Sequence, residues 1–427
     1  MTDPIRSEGV RRAAITPLVE AAAPVTARPV LYGGNIWRLF TAQALFMFIL
    51  WVPIWVVFLQ GRGVSLTQIG VLEGFAWLLT AFLEVPTGAV ADRWGRKASI
   101  AIGGVLYAAA MFLILAKALS PAFLLGYALW NSSMAFVSGS DSALLYDTLK
   151  ADGRVDQAAR HAGRYAAIQQ GSQGVASVIG AAIATVDITL CFTLCGVGSL
   201  AATALVLTIK EPPHVEEDGS TPLGYWKNLK TALGIAARRP VVRALLLLYA
   251  TVLTLPLIVY YVLLQPYALG VGLPIATLGV VVAGVQLTSV IASWLADRAG
   301  RRFELTWVVA VGLGGLLVAQ VLLATFPSIP SIALMLLVAL VPALLGPLLL
   351  TRLNNVIPSA QRATILSLSA LMFELGLAVG MPLLLVSADR LGAPQAIGIA
   401  AVIFAATAIP LLVIWRAAEG RARAAGG

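Results

Sequence analysis

Twelve apolar runs alternate with short polar segments along the 427 residues. The first six lie at about 36–59, 67–91, 98–117, 121–146, 164–186 and 188–209. The second six lie at about 243–265, 274–296, 305–326, 331–351, 363–388 and 396–416. An α-helix rises about 1.5 Å per residue, so each run can cross a hydrocarbon core of about 30 Å while satisfying its own backbone. The pattern predicts an all-α integral membrane protein with twelve transmembrane helices in two six-helix bundles, 36–209 and 243–416. Residues 1–35 contain no apolar run and no signal-peptide core, and read as a tail. Residues 210–242 form the longest interior polar stretch, a linker between the halves, and 417–427 form a second tail.

One charged segment occurs twice. Gly88-Ala89-Val90-Ala91-Asp92-Arg93-Trp94-Gly95-Arg96-Lys97 follows the second run, and Ser293-Trp294-Leu295-Ala296-Asp297-Arg298-Ala299-Gly300-Arg301-Arg302 follows the eighth. The two aspartates are 205 positions apart, close to half the chain, so the halves are repeats. The pattern G-x-x-x-D-R-x-G-R-K/R resembles the loop between the second and third helices of the major facilitator superfamily, and the second copy resembles its echo in the C-terminal half. The resemblance implies that superfamily's fold of two pseudo-symmetric bundles, and a carrier with a central cavity. It also implies that Asp92 touches the eleventh helix and that Arg96 pairs with an acid ending the fourth, here Asp147. The candidate gating set is therefore Gly88, Asp92, Arg93, Gly95, Arg96, Lys97 and Asp147, with Asp297, Arg298, Gly300 and Arg301 in the second copy.

Composition agrees with this membrane reading. Mean hydropathy is +0.90 and only 11% of residues are charged, against about 25% in soluble domains. The net charge of +9 raises nucleic acid as a partner, but its distribution argues otherwise. With the N-terminus inside, 26 of the 29 Lys and Arg fall in inner segments, and only Arg62, Lys117 and Arg390 fall outside. That bias places both termini in the cytoplasm and spreads the charge along membrane edges instead of one face. The Ala-, Gly-, Leu- and Arg-rich composition suggests a bacterial inner membrane, hence a plasma membrane. Cys191 and Cys195 share one helix face in an apolar run and read as small hydrophobes.

Four carboxylates fall within the runs: Glu73 and Glu84 in the second, Asp141 in the fourth and Glu374 in the eleventh. An ionised group at that depth costs at least about 2.5–3.5 kcal/mol, so each needs water, a partner or a proton. These are the candidate proton-coupling residues. Glu73 and Glu84, eleven apart, share a helix face. Tyr127, Asn131, Met134, Ser138 and Asp141 recur at i, i+4, i+7, i+11 and i+14, a polar stripe that faces protein or water and not lipid.

Polar and aromatic groups mark the runs that line the cavity in the resembled fold. The candidate substrate contacts are Gln43, Tyr127, Trp130, Asn131, Gln173, Tyr249, Tyr260, Tyr261 and Gln265. Gly171 and Gly180 match the start of the G-x8-G-x3-G-P motif of drug antiporters, but Ala184 and Thr185 stand where Gly and Pro belong. No Arg lies between Lys117 and Arg154, where those antiporters bury one. No Walker A pattern appears, and no Ser/His/Asp set or metal cluster falls in the spans, so neither an enzyme nor a cofactor is expected. The expected function is secondary active transport of a small organic solute by a monomer, through proton-coupled efflux of an apolar or amphipathic compound. Uptake or facilitated transport of a polar metabolite is the alternative, and a non-transporting receptor or scaffold the alternative of another class.

Overall fold

The computed structural model describes residues 32–213, 222–358 and 361–426. Most of the expected N-terminal tail and the middle of the linker lie outside them. Among the described residues the chain forms helices and no strand. The first half comprises α1 (Gly33–Phe46), α2 (Trp55–Gly61), α3 (Leu66–Trp94), α4 (Arg96–Leu113), α5 (Pro121–Val137), α6 (Ser140–Ala151), α7 (Ala158–Ala184) and α8 (Ile188–Leu207). After α9 (Pro222–Arg238), the second half comprises α10 (Pro240–Ile258), a π turn (Val259–Leu263), α11 (Leu264–Gly270), α12 (Ile275–Arg302), α13 (Leu305–Thr325), α14 (Leu334–Val356), α15 (Arg362–Leu391) and α16 (Ala393–Gly426).

Local sequence sets several starts. Ser65 and Gln68 form a reciprocal capping box at α3. Ser120 caps α5, with Pro121 in its first turn. The Asp187 carboxylate accepts from the Thr189 hydroxyl at 2.7 Å and from the Thr189 amide at 2.8 Å at the start of α8, which together hold it below the usual carboxylate range.

Among the described residues, nine helices are long and apolar enough to span a membrane. The other three expected spans are unlike them for two reasons. The first and fourth are each broken in two, as α1–α2 and α5–α6, and α7 carries Arg160, Arg164, Gln169, Gln170 and Gln173 on a single helix. Large apolar side chains such as Phe82, Val280, Leu287, Val311 and Val318 are exposed on the outside of the bundle, where lipid is the partner they require.

The linker and tails depart from the expected boundaries. Seventeen residues of the linker form the helix α9, which packs against α15 and α10. The seventh span starts early, at Pro240. The last helix runs through the expected tail, and Arg352 of α14 pairs with Glu419 of α16 at 2.6 Å.

The halves meet mainly through α3 against α15 and α7 against α12. At the end away from the repeated loops this packing is close. Thr67 donates to Asp389 at 2.7 Å. A Cβ on Gly74 would lie 2.6 Å from the Ala378 carbonyl oxygen and 2.8 Å from Pro382, so only glycine admits α15 there.

Candidate functional site

Both breaks in the first half face one cavity. In the first span, α1 ends at Phe46 and helical structure resumes at Val52–Ile54. Pro53 lies in that short turn and has no N–H to continue a helical ladder. The loosened backbone finds other partners. The Leu50 amide donates to Cys195 Sγ at 3.2 Å. Gln265 accepts from the Val56 amide at 2.8 Å and donates to the Val52 carbonyl at 3.0 Å. Gln265, expected in the cavity, is thus a buried clamp joining the first and seventh spans.

In the fourth span α5 stops at Val137. Ser138 is extended (ψ 125°) and Gly139 takes φ +78°, the left-handed region that glycine enters freely. The chain restarts as α6 with Asp141 in its first turn, where helix polarity favours a negative charge. Asp141 Oδ1 accepts from the Ser142 amide at 2.6 Å, and Oδ2 from the Tyr165 hydroxyl at 2.8 Å. The single stripe expected from Tyr127 to Asp141 is therefore interrupted: Met134, Ser138 and Asp141 line one cavity, whereas Tyr127 and Asn131 do not.

The cavity between these breaks has a volume of about 370 Å³. Asp141, Ser138 and Met134 line it from α5 and α6, and Phe46 and Met47 from the end of α1. Trp77 and Thr80 of α3, Tyr107 of α4, Gln169 of α7 and Glu374 of α15 complete its reactive wall. Glu374 is 6% exposed, and its neighbour Phe373 meets Trp77 edge-on across the halves, centroids 5.9 Å apart. Two carboxylates from opposite halves thus share one space with three aromatic side chains and two methionines, and among the described residues no basic side chain lines it.

The other candidate residues are placed elsewhere. Tyr127 and Trp130 pack with Trp51 and Trp55 in an aromatic cluster. Asn131 donates to the Tyr127 carbonyl of its own helix. Gln43 is buried, with its Nε2 unbonded among the described residues. Gln173 accepts from Gln286 of α12. Tyr249, Tyr260 and Tyr261 are half-buried on α10 and the π turn. None of these lines the cavity, nor does Glu73, which is bonded to Tyr127 and Trp55. Phe46, Met47 and Tyr107 line it without having stood out in the sequence. The available signals were Pro53, the Ser138-Gly139 pair and the adjacent Gly103 and Gly104.

The repeated loops differ from each other. The side chains of Glu84 and Asp92, and Gly88, lie outside the described residues. In the first copy Gly95 takes φ +90° and separates α3 from α4. Arg96 Nε meets Asp147 Oδ2 at 3.0 Å, the pair that the sequence motif implies. Glu211 accepts from the backbone amides of Arg96 and Lys97 at 2.9 and 3.3 Å, supplying the negative charge that a helix start favours. Lys97 donates to the Ile209 carbonyl, and Arg93 is exposed. The loop is thereby tied to the ends of the fourth and sixth spans. In the second copy α12 runs straight through Gly300. Asp297 and Arg301 pair along that helix, exposed, and the Arg298 guanidinium lies 3.6 Å from the Trp294 ring centroid.

Two bundles of apolar helices, duplicated in sequence, meeting along paired helices and enclosing a polar cavity, define a membrane carrier. The Major Facilitator Superfamily profile matches residues 37–312, and the chain belongs to that superfamily. Its fold is similar to a bacterial homolog of the human lysosomal transporter Spinster in an inward-facing and unoccupied conformation (TM-score 0.71, 18% identity, covering 91% of this chain and 98% of that one). It is also similar to the nucleoside transporter NupG (0.70, 13%, 90% and 99%) and a D-xylose-proton symporter (0.67, 15%, 90% and 97%). Among curated proteins none matches the chain in sequence.

Proposed function

We propose that this transporter exports a small amphipathic organic compound carrying a positive charge, a weak base or quaternary ammonium, in exchange for protons. The observation that carries this reading is the shared placement of Asp141 and Glu374, from opposite halves, in one aromatic and methionine-lined cavity. Anionic oxygens would attract the cation, Trp77, Tyr107 and Phe46 would cover its faces, and methionine would adapt to its shape. A cation and a proton compete for the same carboxylates, which is the minimal coupling of an antiporter. Rocking of the halves about the cavity would expose it alternately to each side. The positive-inside bias supports cytoplasmic termini in a plasma membrane, and the pairing of the two bundles within one chain supports a monomer.

A second reading, uptake of a polar metabolite with protons, draws on Thr80, Ser138 and Gln169 in the same wall. It also draws on the fold's similarity to a D-xylose-proton symporter.

Proteoliposomes loaded with tetraphenylphosphonium, under an imposed pH gradient, decide between them. Saturable proton-driven flux lost in Asp141→Asn or Glu374→Gln supports the antiporter. Flux of xylose or uridine, with none of the cation, would replace it with the uptake reading.

A further inference from the structure

A second cavity lies where α9 turns into α10. Its volume is about 480 Å³, and Arg238, Arg239 and Arg352 line it together with one acid, Glu419. A neighbouring cavity of about 620 Å³ shares Arg238 and Arg239 and adds Lys230 and Gln361. The chain turns there because Arg239 precedes Pro240, which keeps it extended (φ −115°, ψ 98°) and separates α9 from α10. The turn sets the last residue of one helix beside the cap of the next, so both guanidiniums reach the same hollows. Glu419 pairs with Arg352 at 2.6 Å. Arg238, Arg239 and Lys230 are exposed and have no carboxylate or side-chain hydrogen bond among the described residues.

Three unpaired cations around joined hollows raise the local potential and attract an anion. Guanidinium forks match phosphate oxygens in pairs. Val241 and Val242, in the first turn of α10, belong to the same wall, and their amides have no carbonyl one turn back. Gln361 Oε1 is buried without a donor among the described residues, and a hydroxyl on the ligand can supply one. The chemistry of the walls is that of a phosphate ester site.

Depth selects the source of the phosphate. The last helix starts at Ala393, at the end away from the repeated loops, and Glu419 comes 26 residues later, about 39 Å along the axis. The hydrocarbon core is about 30 Å thick, and the headgroup layers bring the bilayer to about 40–45 Å. The cavity is therefore level with lipid headgroups on the side of the repeated loops. Leu247 of α10 and Val413 and Ile414 of α16 are exposed on the approach to it, an apolar surface that acyl chains can cover. We propose that this basic corner binds a phosphate ester whose source is the headgroup of an anionic membrane lipid. Bound there, the headgroup bridges α9 to α10, α14 and α16. Because α9 also packs against α15 and touches α3, the lipid fastens the connector between the halves.

Native mass spectrometry of the full-length protein, titrated with phosphatidylglycerol or with phosphatidylcholine of the same acyl chains, tests the site and needs no transported solute. Wild type is expected to retain phosphatidylglycerol over phosphatidylcholine by about tenfold. Arg238→Gln/Arg239→Gln is expected to lose that preference, and Lys230→Gln to reduce it several-fold. Arg160→Gln/Arg164→Gln removes two exposed cations at the start of α7 and is expected to keep it. Phosphatidylglycerol should also raise the melting temperature of wild type and of the α7 variant, but not of Arg238→Gln/Arg239→Gln. Melting of that variant in phosphatidylcholine shows whether it folds, and if it does not, Lys230→Gln against the α7 variant carries the comparison. Equal retention of both lipids by wild type would overturn the proposal, as would an equal loss in the α7 variant, the mark of general surface charge. Displacement of the lipid by pyrophosphate, with the same rise in melting temperature, would assign the corner to a soluble phosphate and overturn the lipid source.

Discussion

Gln173 of α7 and Gln286 of α12 meet amide to amide at 2.6 Å, joining the two halves near the middle of both helices. A neutral hydrogen bond contributes about 0.5–1.5 kcal/mol net, enough to shift a two-state balance several-fold. Gln286→Leu should therefore shift the carrier away from the packing described here. Spin-label distances between the halves should show a second population growing at the expense of the first, and unchanged distances would remove this bond from the switching balance.

Gly74 should tolerate no side chain. A Cβ would lie 2.6 Å from the Ala378 carbonyl oxygen, which belongs to backbone and cannot swing aside. Overpacking costs about 1–3 kcal/mol, and here the strain exists only when α3 and α15 are together. Gly74→Val should hold that end open. A cysteine at position 67, beside Asp389, should then label faster with a membrane-impermeant maleimide.

Cys195 Sγ serves as the acceptor for a backbone amide of the first span. Without it the Leu50 amide, freed by the break in the first span, loses its acceptor. An orphaned buried donor costs about 1–3 kcal/mol. Cys195→Ala should lower the melting temperature in detergent, and Cys195→Ser, which keeps an acceptor, should lower it less. Equal melting of both variants would show that packing alone matters there.

His161, at the start of α7, is buried beside Phe40 with its Nδ1 unbonded among the described residues. Burial, then Arg154, Arg164 and Arg160, hold its imidazole below the usual range. The unfolded chain, at about 6.5, binds the proton more readily. Stability from the neutral ring is thus complete above about pH 6.5 and is lost as pH falls through the lower folded value. Melting temperature should drop between about pH 7 and 5, and His161→Phe should flatten part of that drop.

What could be read from the chain alone follows from physics that acts along it. Hydropathy over twenty residues and the repeated loop fix spans and halves. The Arg96–Asp147 pair was legible because the motif names one partner and the end of a span the other. The cavity wall was not, because the two helix breaks redirect it. Ser138 and Gly139 look unremarkable inside an apolar run, yet they end α5 and restart the chain as α6 with Asp141 in its first turn. Pro53 signals its break only in hindsight, since proline is tolerated in membrane helices. Glu211 was hidden for another reason: it is far in sequence from the amides of Arg96 and Lys97 that it caps.

The long final helix has a practical consequence for measurement. Thirty-four residues from Ala393 to Gly426 reach about 51 Å, well beyond a core of about 30 Å, and the Arg352–Glu419 bond fastens the emerging part to α14. A dye or protein fused stiffly to this helix cannot tumble independently of the second half. Its polarisation would record each tilt of that half relative to the membrane, making the C-terminus a built-in pointer for single-molecule recording.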